Sequence, residues 1–192
     1  MTMTLQKVNT RNTVLVLMIV AAAAFRFVSY KYPYVLSNFT PVGAIALFGG
    51  AYFTDKWKAY LVPLITLFLS DMLLNFLYTS KVVFYSESLW MYLCFAIIVF
   101  VGSLIKKATV VSVLLASIVS VVIHWLFIDM PWLYGNLYPH TLAGYGQSLV
   151  AAIPFEKNML FGDLLFGLIL FGGFEFAKNK YNVLRTKTEL AV

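Results

Sequence analysis

Long apolar blocks separated by short polar punctuation run the length of this chain, and few folds can accept that pattern. The blocks fall at 13–29, 42–54, 60–78, 89–105, 109–128 and 159–177. A bilayer core about 30 Å thick is crossed by roughly 17–25 helical residues. In lipid every backbone N–H and C=O must find its partner within the structure, which favours helices. Of 192 residues 61% are hydrophobic and only 11% charged, where a soluble domain carries about 25% charged residues. The expected fold is all-α: one integral membrane domain over residues 1–192, a bundle of six transmembrane helices with an outer loop at 129–158.

The block at 42–54 is short. At about 1.5 Å per residue it reaches about 20 Å, so a re-entrant helix is the alternative to a crossing. Charge arbitrates between them. With six crossings and an inside N-terminus, Lys7, Arg11, Lys56, Lys58, Lys106, Lys107, Lys178, Lys180, Arg185 and Lys187 share the cytoplasmic side, and Arg26, Lys31, Lys81 and Lys157 do not. A re-entrant second block would send most of the later basic residues outside, against the positive-inside rule. The topology expected is therefore N-in/C-in. Lys7 and Arg11 ahead of an apolar run ending in Ala21–Ala24 also resemble a secretory signal; the segment is read here as the first membrane helix.

The net charge of +6 does not point to nucleic acid, because the basic residues are scattered in ones and twos between apolar blocks rather than gathered on a face. The lipid bilayer is the expected partner. Trp57, Trp90, Trp125 and Trp132 sit at block ends, where membrane interfaces fall. Ala46 with Gly50, and Ser112, Ala116 and Ser120, recur at the four-residue spacing that lets helices approach closely in lipid. Cys94 is the only cysteine, so no intrachain disulfide forms.

Ionisable groups inside a membrane are costly and are functional candidates by default. Here they are Arg26, Asp71, His124, Asp163 and Glu175, with Asn75 one turn after Asp71 and Cys94 as further polar or reactive groups. In the expected topology all but Glu175 lie in the outer half, beneath a loop carrying Trp132, Tyr134, His140, Tyr138 and Tyr145. That is the outline of a pocket open to the outside. Each residue also has a plainer reading. Arg26 pairs with Asp71 or Asp163 and locks the bundle; His124 is a hydrogen-bonded packing residue; Cys94 is a small core residue. No paired-histidine zinc motif, glycine-rich phosphate loop or nucleophile elbow is present, so no catalytic residue, metal or cofactor is expected.

Ser37-Asn38-Phe39-Thr40-Pro41-Val42-Gly43-Ala44, leading into Phe48-Gly49-Gly50-Ala51-Tyr52-Phe53, then Ser70-Asp71-Met72-Leu73-Leu74, Ile153-Pro154-Phe155 and Gly162-Asp163-Leu164-Leu165-Phe166-Gly167, resemble a bacterial membrane family of unknown function. The overall plan is similar to the substrate-binding S components of energy-coupling-factor vitamin transporters. That resemblance implies a bacterial inner-membrane binding and uptake component for a vitamin-like small molecule, working with a scaffold membrane protein and ATPase subunits. Some solitary relatives of those S components handle corrinoids, which would give Cys94 a role as axial ligand. Their Ala-x-x-x-Ala docking pattern is absent here, since Ala21–Ala24 are contiguous. The ligand-contacting residues expected are Arg26, Asn38, Asp71, Asn75, Cys94, His124, Trp132, Tyr134, Tyr138 and Asp163. The alternative is an accessory subunit of a larger membrane complex, with the same residues in internal ion pairs.

Overall fold

A computed structural model describes residues 9–81 and 87–190, apart from the side chains of Glu87 and Lys187. The described residues are helical, with no strand among them. In chain order the helices are α1 (Thr10–Ala23), α2 (Arg26–Lys31), α3 (Pro33–Leu36), α4 (Val42–Tyr52), α5 (Lys56–Thr79), α6 (Glu87–Ser103), α7 (Val110–Ile128), α8 (Leu142–Gly167), α9 (Gly173–Lys180) and α10 (Lys187–Leu190). Four runs are long and apolar enough to cross a membrane: Thr10–Lys31, Lys56–Thr79, Val110–Ile128 and Leu142–Lys180. Val42–Tyr52 and Ser88–Ser103 are shorter apolar helices.

The short helix is the centre of the molecule. Apart from Ala51, every residue of α4 is buried; a helix hydrophobic all round belongs inside. Its glycines let neighbours come close. An added Cβ on Gly50 would lie 2.1 Å from the Val99 carbonyl oxygen of α6, and one on Gly102 of α6 would lie 2.3 Å from that of Leu47. The two backbones thus touch across a reciprocal pair of glycines, the small-residue packing that membranes favour. Gly49 meets α5 at Pro63, whose ring carbon would be 2.3 Å from an added Cβ. Phe48 stacks edge-on with Phe171 and Phe174 at 5.5 and 5.8 Å. Ala116 and Ser120 are buried as the small-residue spacing suggests, but Ser112 is not a packing residue. It forms a capping box with Thr109 that starts α7.

The loop expected at 129–158 is much shorter. After α7 the chain makes one tight turn at Pro131–Tyr134, and Thr141 then caps α8 by accepting from the Gly144 N–H at 3.2 Å. From Leu142 a continuous helix of 39 residues runs to Lys180, about 58 Å long at about 1.5 Å per residue. Gly144, Gly146, Pro154 and the polar residues around Lys157 gave this stretch the look of a loop. Pro154 is carried inside the helix, and a π-helical turn at Leu168–Gly172 interrupts it further on.

Helix ends gather at two opposite regions. Arg11 at the start of α1 donates to the carbonyls of Tyr52 and Leu184 at 2.7 and 2.5 Å, joining the beginning of α1, the end of α4 and the segment after α9. Elsewhere Tyr30 donates to the Leu77 carbonyl at 3.1 Å and Trp90 to that of Phe127 at 2.5 Å.

Candidate functional site

Two helices bring a polar seam into the apolar bundle. On α7, Ser117, Ser120 and His124 recur at helical spacing and share a face. On α8, Glu156 and Asp163 stand two turns apart on one face. Both serines and both acids are buried, with Ser117, Ser120 and Asp163 at 0% exposure. His124 Nδ1 lies 2.8 Å from Glu156 Oε1, and its ring sits 5.9 Å from that of Phe95 on α6. His124 and Ser120 lie near the Asp163 carboxylate.

Asp163 does a second job. Its Oδ1 accepts from the Ala44 N–H at 2.9 Å, and Gly43 leaves the room: an added Cβ there would sit 2.1 Å from Oδ2. Ala44 is in the first turn of α4, whose N–H groups have no partners within the helix. The carboxylate therefore caps α4 from across the bundle, at the end where the helix dipole favours negative charge. Around it, Gly162 packs against the backbone of Thr40, and Asn158 Nδ2 donates to the Ser37 carbonyl at 2.9 Å. The motifs at 37–44 and 162–167 are therefore one structural joint.

The seam is not saturated. Glu156 Oε2, Asp163 Oδ2 and the Ser117 and Ser120 hydroxyl oxygens are buried and make no hydrogen bond. Groups left so cost roughly 1–3 kcal/mol each. Against this seam lies an open groove of about 300 Å³ between α7 and α8. Its walls include Val121, Trp125, Ile153 and Leu160, with Glu156 and Lys157 as its charged lining. An apolar hollow with few convergent polar groups is the usual form of a small-ligand site.

The other expected site residues fall elsewhere. Arg26 pairs with Asp71 at 2.6 Å and donates to the Ser70 hydroxyl, while Tyr92 donates to the second Asp71 oxygen at 3.2 Å. Of its two expected partners Arg26 thus takes Asp71; Asp71 and Asp163 do not meet, because Asp71 belongs to the α2–α5–α6 side and Asp163 to the α4–α7–α8 side. Asn75 is half-buried on α5. Asn38 is exposed, in a left-handed turn with φ 57°. Cys94 is fully buried in the apolar core and does not line the groove at Glu156.

Of the aromatic residues expected over the site, Trp132 is 58% exposed. Tyr134 and Tyr138 pack edge to face at 5.6 Å, and Tyr134 donates to Asp129. Burial raises the Asp129 carboxyl, with the Tyr134 hydrogen bond opposing it; burial also raises the Tyr134 phenol, reinforced by Asp129. Tyr134 lines a separate cavity of about 250 Å³ with Trp90, Met91, Ile128 and Leu133. Glu156, the charged residue that joins cavity and seam, lay inside the expected loop. Its spacing of seven from Asp163 was the signal that could have found it.

This is a helical protein of multi-pass membrane type, with ionisable groups enclosed between its helices. Residues 6–185 match a family of unknown function, DUF6580, and the chain belongs to it. No curated protein and no solved structure matches the chain.

Proposed function

We propose that this chain is a binding and uptake component for a small molecule in a bacterial inner-membrane transporter, similar in role to vitamin-binding S components. The observation that carries the reading is the open apolar groove of about 300 Å³ that has Glu156 in its wall, a buried acid whose second carboxylate oxygen has no partner. Buried acid and histidine groups in a membrane bundle mark substrate or ion pathways. A ligand matched to this cavity has an apolar body for Trp125, Val121 and Leu160 and a cationic or donor group for Glu156. In this reading the chain crosses the membrane six times, α4 and α6 included, with both termini cytoplasmic; the close approach of Arg11, Tyr52 and Leu184 accords with it. A scaffold protein with ATPase subunits would supply the driving energy.

One observation favours the accessory-subunit reading instead. Arg26, Asp71, Ser70 and Tyr92 bond to one another and occupy both Asp71 oxygens, with Arg26 Nε left without a partner, as internal ion pairs of a structural bundle would. Purification in mild detergent, denaturation and mass spectrometry of the released small molecules separates the two. A stoichiometric compound small enough for the Glu156 cavity supports uptake. An empty chain recovered in fixed ratio with other subunits overturns it.

A further inference from the structure

We propose that the end of the bundle formed by α1, α4, α6 and α9 carries a site for one anionic phospholipid, independent of the solute cavity and of the uptake reading. Two hollows meet there. One, of about 450 Å³, is walled by Arg11, Tyr52, Lys106, Lys107, Lys178 and Glu189. The other, of about 230 Å³, is an apolar groove between α7 and the π-helical turn, walled by Val110, Val113, Leu164, Leu168 and Phe171. Ala108 and Glu175 line both, so the polar hollow and the apolar groove are contiguous. A polar chamber leading into an apolar channel has the shape of an amphiphile.

Charge decides the headgroup. Most of the ionic groups in the chamber are already spoken for. Arg11 gives its Nη donors to the Leu184 and Tyr52 carbonyls. Lys178 bridges Glu175 at 3.0 Å and Glu189 at 2.5 Å, and Tyr52 donates to Glu175 at 2.6 Å. Lys106 and Lys107 are exposed and pair with no carboxylate among the described residues. They are the cations left for a phosphate, and basic pockets between membrane helices recognise anionic headgroups in this way.

The groove suits an acyl chain because its wall is apolar and has glycines at two places along the π-helical stretch. Gly167 precedes the π-helical turn and Gly172 ends it; an added Cβ would meet Val113 at 3.4 Å and Leu168 at 3.8 Å, respectively. Val110 and Leu168, at 83% and 69% exposure, open the groove to the lipid side. A π-turn displaces the residues after it from the α-helical register, and such turns recur at functional sites.

The test uses the full chain, purified in mild detergent and stripped of lipid, with native mass spectrometry following titration by dioleoyl phosphatidylglycerol or dioleoyl phosphatidylcholine. Phosphatidylglycerol is expected to bind one per chain, at least tenfold tighter than phosphatidylcholine. The double variant Lys106→Ala/Lys107→Ala, at exposed positions that leave folding intact, should lose that preference. Gly172→Leu should weaken both lipids by filling the groove, its fold checked by unchanged helical circular dichroism. Equal binding of the two lipids, an unchanged double variant, or displacement by glycerol phosphate as effective as by the lipid would each overturn the proposal. The last of these would mark a site for a free phosphate ester.

Discussion

The Arg26–Asp71 pair and the His124–Glu156–Asp163 seam each hold ionisable groups between membrane helices, yet they differ in how their acids are satisfied. Both oxygens of Asp71 have partners, Arg26 on one and Tyr92 on the other. Glu156 and Asp163 each keep one buried oxygen with none. Arg26 and Ser70 line a hollow of about 10 Å³, whereas Glu156 lines a groove of about 300 Å³. An intramembrane charge is therefore a functional candidate only until its partners are counted. Where they close on one another the group holds helices together; where capacity is left over beside an apolar hollow, the group is available to a ligand.

The largest expected effect breaks the closed pair. Arg26→Ala leaves the Asp71 carboxylate buried with Tyr92 alone, and removing one partner of a buried pair costs about 3–5 kcal/mol. Denaturation in detergent micelles should show that loss, and Arg26→Met combined with Asp71→Leu should recover most of it. If the single variant is as stable as wild type, the pair is not the lock described here. Next comes the floor on which the seam rests. Gly50→Leu drives a side chain into the Val99 carbonyl, and overpacking of this kind costs about 1–3 kcal/mol; thermal unfolding of the purified variant measures it.

A smaller effect separates the two roles of Asp163. Asp163→Ala removes the cap on α4 and should cost about 0.5–2 kcal/mol, in the range of lost helix caps. Asp163→Asn keeps an acceptor for the Ala44 N–H and should lie closer to wild type in the same melts. The least effect belongs to Glu189, outside the membrane helices. Burial raises this carboxyl, but hydrogen bonds from Lys178 and Thr186 outweigh it and hold it at about 2, below the ordinary 4.5. Because the folded value is depressed, the contribution of Glu189 is complete above pH 4.5 and is lost as pH falls towards 2. Protection factors at residues 184–190, taken against the intrinsic exchange rate at each pH, should therefore fall across that window, while those of the α4 amides hold.

Much of the bundle was legible. The blocks at 60–78 and 109–128 lie within a residue or a few of Lys56–Thr79 and Val110–Ile128, because uninterrupted apolar runs of that length have no other stable form in lipid. The region at 142–158 was not. Its glycines, proline and polar residues lower local hydropathy, and hydropathy reports contact with lipid, whereas α8 here is held by Thr141, Trp125 and Ser37 through hydrogen bonds. With that helix read as loop, Glu156 had no reason to face His124, and the seam was half seen: His124 and Asp163 were singled out without the residue between them. Arg11 was read as a flanking charge for orientation, but it is buried at 8% exposure, because the carbonyls that receive it come from segments 41 and 173 positions away.

The comparison is tested most directly by purifying wild type, Glu156→Gln and Asp71→Asn side by side and quantifying the small molecules each releases on denaturation. A ligand resting on Glu156 predicts stoichiometric release from wild type and from folded Asp71→Asn, and at least tenfold less from Glu156→Gln at equal recovery of monodisperse protein. Equal release from wild type and Glu156→Gln, or none from any of the three, would contradict the account.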